Sequence, residues 1–358
     1  MRAKLSKGVD PLLFFAVMAL IVFGLVMLAS ASSHLGKTKF DDSYYYLKHQ
    51  IYFGFLPGLA GLLTTSFIHY RHYQKWALPL LFLTLILLLL VFTPWWGLRA
   101  GGADRWLRFG SFSFQPAELL KISFFIYLAA WLQKKGGFIP FVIIMGTVAF
   151  LLLAQPATST AALLMAAAII TYFMSGARLY QFFLAALLGG GVLLLLIYLT
   201  PYRWERVKTF LDPEADRQAS GYHLSQTLIA IGSGGLTGVG YGQSTTKINY
   251  LPEPIGDSIF AVIAEELGFI GALGFVALIM LLAGRMFIIA GRSKDQFGYL
   301  AVIGFASLIA LQSFIHIAAV SGLIPLTGIP LPFISYGGTG LFAFMTMTGI
   351  VFNISKYN

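Results

Sequence analysis

Three carboxylates stand close together between residues 257 and 266 of this chain. Asp257 follows a loop broken by proline and glycine, and Glu265 and Glu266 lie in the long apolar stretch after it. Because the chain has only 14 acidic residues, this concentration is unusual. Acidic side chains are costly in hydrocarbon and occur there mainly where a substrate, an ion or a proton is handled. The segment is therefore the first candidate for a functional site.

Each of these acids has an alternative interpretation. Asp257 could cap the helix that follows it, it could act as a general base, or it could do both. Glu265 lies eight residues further on, on the same helical face and roughly 12 Å deeper. For a glutamate at membrane depth we expect a functional role, with a structural ion pair to Lys121 or an arginine as the alternative. Glu266 points about 100° away, which indicates a different partner.

A second group of charged residues lies between residues 101 and 124 and includes Arg105. Pro116 suits the first turn of a helix, and Glu118 suits the positive end of its dipole. Because Glu118 and Lys121 are three residues apart, they share a helix face and can form an ion pair.

Two further arginines, Arg203 and Arg206, lie beside aromatic residues. The ordinary interpretation of such residues is anchoring at the membrane interface. Cations beside a carboxylate favour an anionic, lipid-linked substrate instead, because arginine can bind phosphate through two parallel hydrogen bonds.

The rest of the chain must position these side chains, and its composition indicates how. Of the 358 residues, 58% are hydrophobic and only 11% are charged, which excludes a soluble globular protein. We predict an all-α polytopic integral membrane protein, a single domain over residues 1–358. About ten apolar segments approach the ~20 residues that cross a bilayer. They are 12–31, 50–67, 76–94, 116–133, 138–154, 158–175, 180–200, 258–283, 298–320 and 337–354.

The net charge of +10 is distributed unevenly over this topology. With the N-terminus inside, the inner segments hold 12 of the 24 basic residues but only two of the 14 acids, Asp10 and Asp295. The entire excess charge then lies on one side, as the positive-inside rule predicts. We expect both termini to be cytoplasmic, the first span to be a retained anchor, and nucleic acid not to be a ligand.

Polar residues collect on the predicted outer face, in loops near 95–115, 201–257 (between spans 7 and 8) and 321–336. In the long loop, Leu224, Leu228 and Ile231 recur at helical spacing and predict a short interfacial helix. Segment 322–338 contains three prolines. Irregular backbone at membrane depth requires protein or water around it, so this segment is predicted to be re-entrant and to line an outward-facing cavity.

Several kinds of chemistry are excluded. The absence of cysteine rules out disulfides, thiolate catalysis and Cys-ligated metals. Neither a phosphate-loop nor a dinucleotide pattern is present, so no organic cofactor is expected. His223 and His316 do not form a metal-ligand cluster and are predicted to be hydrogen-bonded core residues.

Five segments occur in a fixed order: GADRWL at 102–107, QPAELLK at 115–121, GYHLSQTLIAIGSGGLTGVGYG at 221–242, LPEPIGDSIFAVIAEELGFIGA at 251–272 and GLIPLTGIPLPFISYGG at 322–338. Together they resemble the SEDS family (shape, elongation, division and sporulation) of polytopic peptidoglycan glycosyltransferases, its rod-shape elongation branch more than its division branch. One motif departs from the family. QPATST at 155–160 stands where QPDLGT is common, so Ala157 replaces an acid and no role is transferred to it.

The resemblance implies that the protein polymerises lipid II, an undecaprenyl-pyrophosphate-linked disaccharide-pentapeptide, on the outer face of the bacterial cytoplasmic (inner) membrane. The implied reaction is inverting, forms a β-1,4 linkage and releases undecaprenyl pyrophosphate during cell elongation. The implied partner is a class B penicillin-binding protein, the transpeptidase of the elongation machinery.

A mechanism with one essential carboxylate fits these residues. Asp257 is predicted to take the proton from the acceptor 4-hydroxyl, while cations stabilise the departing pyrophosphate. A Mg²⁺ or Mn²⁺ ion bridging Asp257 and pyrophosphate is compatible with this arrangement, since both ions favour oxygen ligands. The residues predicted to bind substrate or support the site are Arg105, Glu118, Lys121, Arg203, Arg206 and Glu265.

Two other functions are alternatives. A flippase or transporter of lipid-linked cell-wall precursor would also need many helices, a polar cavity and intramembrane acids. The two halves of the chain show no repeat of the kind common in transporters, and the polar groups collect on one face. A non-catalytic scaffold would leave Glu265 and the outer cations unexplained.

Overall fold

The structure, a computed structural model, describes residues 8–100, 103–110, 112–134, 136–212 and 220–358. Its α-helices are α1 (Pro11–Phe40), α2 (Tyr45–Gln50), α3 (Leu56–Phe67), α4 (Arg71–Leu90), α5 (Pro116–Leu132), α6 (Phe138–Ala154), α7 (Thr158–Met174), α8 (Leu179–Leu199), α9 (Pro201–Leu211), α10 (Ser220–Ser233), α11 (Thr246–Asn249), α12 (Ile259–Arg292), α13 (Gln296–Val320) and α14 (Gly338–Ser355). A π-helical turn, Ile51–Phe55, joins α2 to α3.

Helical structure occurs over each of the ten predicted spans. Among the described residues, six helices are long and apolar enough to cross a membrane: α1, α4, α8, α12, α13 and α14. The helices α6 and α7 are shorter, with 17 residues each. The membrane class is therefore confirmed, and the number of ten crossings stays a prediction.

The bundle is built around α13 and α14, the most buried of the six long helices. Helix α14 packs on α3, and α13 packs on α12, α7 and α5. A side chain at Gly349 of α14 would collide with Thr65 and with the carbonyl of Leu62 on α3. This close approach through a small residue is typical of helices packed in membranes. In helix α8, by contrast, Ala185 is the only buried residue.

The outer loop predicted near 95–115 contains a small antiparallel sheet, which the all-α prediction missed. Its strands are β1 (Gly97–Ala100), β2 (Ala103–Phe109) and β3 (Phe112–Phe114), in the order β1-β2-β3. Successive strand residues face opposite sides, so Leu107 is buried while Arg108 is exposed. Arg105 shares the face of Leu107 and therefore points toward the helices.

The described part of the long loop between α8 and α12 contains three helices, α9, α10 and α11. The helix predicted from Leu224, Leu228 and Ile231 is confirmed as α10. Leu224 is buried and Leu228 is exposed, and both would touch a side chain placed at Gly322. One face of α10 thus packs against the start of the Pro-rich segment.

Helix α12 is interrupted at Gly268, where φ is 67° and ψ is −170°. The glycine-rich loop after α10 bridges the interruption through backbone hydrogen bonds. Val239 N donates to Glu265 O over 3.0 Å, and Phe269 N donates to Gly235 O over 2.9 Å. Backbone groups freed by a helix break need partners at membrane depth, and this loop supplies them.

Candidate active site

A cavity of about 300 Å³ lies where α9, α10, α13, the loop before α12 and the Pro-rich segment meet. Its lining includes Asp257, Arg206, Tyr202, His223, His316 and Gly328. The prediction that the Pro-rich segment lines a cavity is thus confirmed. That the segment enters the membrane from outside stays a prediction.

Asp257 lies just before α12, but it does not cap the helix. The N-cap is Ser258, and no side-chain hydrogen bond caps the first turn, so the capping interpretation is wrong. Among the described residues, the Asp257 carboxylate has no hydrogen-bond partner. A Cβ placed on Gly328 would lie 3.3 Å from its Oδ2. The carboxylate therefore faces the Pro-rich segment across the cavity and remains available to a ligand.

The surroundings of Asp257 favour proton uptake. Burial raises the pKa of its carboxyl above the ordinary value, the nearby Glu253 raises it further, and Arg206 opposes both effects. A raised pKa makes a carboxylate a stronger base.

The Pro-rich segment, residues 322–337, has no regular secondary structure, yet it is held firmly. Side chains from three helices donate hydrogen bonds to its carbonyls. The pairs are Arg206 Nη1 to Leu326 (2.9 Å), Ser159 Oγ to Thr327 (2.8 Å), His316 Nδ1 to Ile329 (2.7 Å) and Gln312 Nε2 to Pro330 (2.7 Å). Buried backbone carbonyls require such partners, and here they fix the wall of the cavity that faces Asp257.

The same segment is also attached to the loop that carries Asp257. Ser335 Oγ donates to Gly256 O over 2.9 Å, and Tyr336 N donates to Ile255 O over 2.8 Å. The two walls of the cavity therefore form one connected structure.

Of the predicted substrate-binding cations, Arg206 lines the cavity together with Asp257. Its guanidinium lies over the Tyr202 ring, 4.8 Å from the ring centroid, and donates to the Tyr202 hydroxyl. This stacking and the bond to Leu326 hold the cation in one orientation.

Arg105 and Arg203 lie outside the cavity lining and direct donors to local oxygen atoms. Arg105 donates to Gln155 O over 3.1 Å and to Pro156 O over 2.6 Å, which ties β2 to the turn between α6 and α7. Burial lowers the pKa of Arg105, Tyr202 raises it, and Arg206 lowers it by repulsion. Arg203 donates to the hydroxyl of Thr200 over 3.0 Å. Their predicted contact with substrate stays a prediction.

The altered motif at 155–160 lies at this same turn. Ala157 is buried immediately before α7 and follows the two carbonyls that Arg105 contacts. Arg105 is thus held by backbone carbonyls directly before Ala157.

The predicted ion pair between Glu118 and Lys121 forms within the bundle, with 2.7 Å between Nζ and Oε1. Both side chains are buried. Lys121 also donates to Gln312 Oε1 over 3.0 Å, and Gln312 in turn holds Pro330. The pair therefore supports the Pro-rich segment from behind and does not line the cavity.

Among the residues that the structure describes, Glu265 pairs neither with Lys121 nor with an arginine, so the ion-pair alternative is wrong for this part of the chain. Its carboxylate accepts hydrogen bonds from the Ser244 hydroxyl (2.5 Å), from Thr245 N (3.1 Å) and from the hydroxyl of Thr246. The turn leading into α11 brings these donors together, which satisfies the charge without a cation.

Glu266 does form an ion pair, with Lys247 at 2.5 Å. It also accepts from the Ser30 hydroxyl on α1 over 2.6 Å. These buried contacts fasten α11 to α1 and α12, so both glutamates stabilise the loop before Asp257.

The two histidines are hydrogen-bonded as predicted, but they also line the cavity. Ser258 Oγ donates to Pro252 O over 2.7 Å, so His223 Nε2 must donate to Ser258 Oγ at 2.7 Å. Burial and then Arg206 lower the pKa of His223. No residue near His316 in the sequence indicated its place in the cavity lining.

Comparison with known proteins agrees with this architecture. The family model FTSW_RODA_SPOVE, described as "Cell cycle protein", matches residues 11–358. A relative from Trichlorobacter lovleyi named "Probable peptidoglycan glycosyltransferase FtsW" is 39% identical over 354 residues, which covers 97% of this chain and 93% of the relative. Stage V sporulation protein E of Bacillus subtilis is 36% identical over 357 residues, which covers 98% and 97%.

Two solved structures share the fold over nearly the whole chain. The rod shape determining protein RodA of Thermus thermophilus is similar with a TM-score of 0.73 and 27% identity, over 98% of both chains. A chain described in the context of polymerization and crosslinking by a peptidoglycan synthase complex gives a TM-score of 0.81 and 27% identity, also over 98% of both chains.

Proposed function

The chain belongs to the FtsW/RodA/SpoVE family, and on this premise we propose that it polymerises lipid II with Asp257 as general base. It is a peptidoglycan glycosyltransferase, the activity for which its relatives are named. The observation that carries the proposed role of Asp257 is a carboxylate with a raised pKa and no hydrogen-bond partner in the described part of the chain, in a cavity that it shares with Arg206.

The reaction joins an acceptor sugar hydroxyl to the anomeric carbon of a donor sugar. Asp257 takes the proton of the 4-hydroxyl as its oxygen attacks that carbon, and the bond to pyrophosphate breaks on the opposite face, with inversion. General-base catalysis of this kind typically contributes ~10²–10⁴-fold. The leaving group departs as an anion, so a second carboxylate acting as an acid is not required.

Arg206 binds the departing pyrophosphate in this proposal, because it lines the cavity and its orientation is fixed by Tyr202 and Leu326. Arg105 and Arg203 add positive potential nearby. Glu118, Lys121 and Glu265 act indirectly: the first two through Gln312 and the Pro-rich segment, the last through the loop before Asp257.

A Mg²⁺ or Mn²⁺ ion remains part of the proposal. The described residues contain no group of three or more His, Cys, Asp or Glu side chains suited to a metal ion. Asp257 would be the protein ligand, because magnesium commonly uses one or two carboxylates and completes its coordination with water and substrate phosphates. Such an ion would supply positive charge to the pyrophosphate.

The proposal also covers the membrane face on which the site opens, the partner protein and the cellular role. We infer that the cavity opens on the outer face of the cytoplasmic membrane and that the partner is a class B penicillin-binding protein. A solved structural relative belongs to a complex that coordinates polymerization and crosslinking, which supports the partner. A role in elongation stays a prediction, since the relatives carry the names FtsW, stage V sporulation protein E and RodA.

The test is polymerisation of lipid II by purified protein. Asp257→Asn and Asp257→Ala should make no detectable glycan strands, whereas Glu253→Gln, an exposed acid in the same loop, should retain most activity. Thermal unfolding of each variant serves as the folding control. A folded Asp257→Ala protein that still makes strands would refute the assignment. A flippase would instead move lipid II across the membrane of a vesicle without forming glycan strands.

A further inference from the structure

His316 is a residue of the cavity lining, and one of its hydrogen-bonding atoms is unused among the residues that the structure describes. Its side chain is buried on α13, and Nδ1 lies 2.7 Å from the carbonyl oxygen of Ile329. A carbonyl only accepts, so Nδ1 carries the proton and Nε2 of the neutral ring is an acceptor. Among the residues that the structure describes, this Nε2 is buried and has no partner.

Gln312, one turn earlier on α13, shows that holding the Pro-rich segment does not require an unpaired atom. Its Nε2 donates to Pro330 O and its Oε1 accepts from Lys121, so both polar atoms are used. His316 holds Ile329 in the same way but leaves its second polar atom unsatisfied. Unsatisfied buried polar atoms are rare in native proteins, because they lose the hydrogen bond that water would provide.

The place of His316 in the cavity lining suggests the partner that its Nε2 lacks. His316 and Asp257 both line the cavity, and the Asp257 carboxylate also has no partner within the described chain. Two unpaired acceptors suit a ligand that carries hydroxyl or amide N–H donors. A pyrophosphate offers mainly acceptor oxygens, so it suits Arg206 rather than His316.

We propose that His316 Nε2 accepts a hydrogen bond from the acceptor sugar and orients the hydroxyl that Asp257 deprotonates. The donor is a hydroxyl or amide N–H of that sugar, and His316 itself takes no proton. This inference rests on the proposed function and adds a specificity-determining contact to the same cavity.

Two substitutions separate this contact from the structural bond to Ile329. In His316→Asn, the amide nitrogen lies near the position of Nδ1 and can still donate to Ile329, but no atom replaces Nε2. In His316→Gln, the longer side chain reaches the Nε2 position and lacks the Nδ1 donor. The exposed His72→Asn, outside the cavity lining, is the matched control.

We expect His316→Asn to lower kcat/KM for lipid II roughly tenfold, which corresponds to about 1.4 kcal/mol, with an unchanged thermal unfolding midpoint. His316→Gln should keep more of the activity and unfold at a lower temperature. The inference is overturned if His316→Asn has wild-type efficiency, or if activity in both variants falls only in proportion to stability. If His316→Asn does not fold, the activities of His316→Gln and His316→Phe are compared instead. Equal activity in these two variants overturns the inference.

Binding provides a readout that does not depend on turnover. Lipid II should bind the Asp257→Asn protein roughly tenfold more weakly when His316→Asn is added. If that weakening occurs but the wild-type protein makes no glycan, the proposed function fails while the contact stands. If binding is unaffected while the wild type polymerises, the contact fails and the proposed function stands.

Discussion

Replacing Gly328 with alanine would test how closely the Pro-rich segment must approach Asp257. Gly328 has φ +66°, a conformation that costs a residue with a Cβ roughly 1–2 kcal/mol. The added methyl carbon would lie 3.3 Å from Asp257 Oδ2, which is tight enough to require a shift of a few tenths of an ångström. In the proposed mechanism it would crowd the carboxylate that the acceptor hydroxyl must reach.

The effect on activity should therefore exceed the effect on stability. A general base must come within about 2.6–3.2 Å of the oxygen whose proton it takes, and a 1 Å misplacement can cost about 10²-fold. We expect Gly328→Ala to lower kcat/KM by roughly 10–100-fold. The assay is the initial rate of strand formation from lipid II, measured beside the thermal unfolding midpoint.

Gly322→Ala is the matched control. Gly322 has φ +71°, so alanine there carries a similar backbone penalty, but its Cβ would make only ordinary contacts with Leu228 and Leu224 at 3.5 and 3.6 Å. Both variants should unfold at similarly lowered temperatures, while Gly328→Ala alone loses most of its activity. Equal activity losses in the two variants, or a wild-type rate for Gly328→Ala, would refute the reasoning.

Three further predictions follow from the same site. Because burial raises the pKa of the Asp257 carboxyl in the folded protein, the stability that this group contributes is present below its unfolded pKa of 3.8 and is lost as pH rises through its folded pKa. Asp257→Asn should therefore unfold at a higher temperature than wild type at pH 7. Equal thermal unfolding midpoints at that pH would contradict this. Lys121→Met should destabilise the fold by about 3–5 kcal/mol by leaving the buried Glu118 unpaired; adding Glu118→Gln should recover part of the loss, and strictly additive losses would exclude the pairing. Arg206→Lys should raise the concentration of inorganic pyrophosphate needed to inhibit polymerisation, because lysine cannot bind phosphate through two parallel hydrogen bonds; unchanged inhibition would argue against Arg206 as the pyrophosphate ligand.

Features that depend on neighbouring residues were predictable from the sequence. The spacing of Glu118 and Lys121 predicts their ion pair, since helix geometry alone brings residues three apart together. Apolar runs likewise predict the helices, and the spacing of Leu224 and Leu228 predicts α10.

Features that depend on residues distant in sequence were not predictable. Glu265 accepts hydrogen bonds from the turn that leads into α11. Glu266 forms an ion pair with Lys247, a residue for which the sequence predicted no role. The small outer sheet was not predicted, because its short strands show no clear alternation of apolar and polar residues. The residues around His316 in the sequence did not indicate its role, because that role depends on a hydrogen bond to the carbonyl of Ile329 in the Pro-rich segment.

The Pro-rich segment takes its shape from side chains that lie outside it. A backbone carbonyl is present whatever residue occupies a position, so substitutions within residues 326–330 leave the acceptors intact. The donors, Ser159, Arg206, Gln312 and His316, are spread over three other helices. Transplanting the segment alone into another chain would therefore not transfer its conformation. A chimera would inherit this wall of the cavity only if all four distant donors were transferred with it.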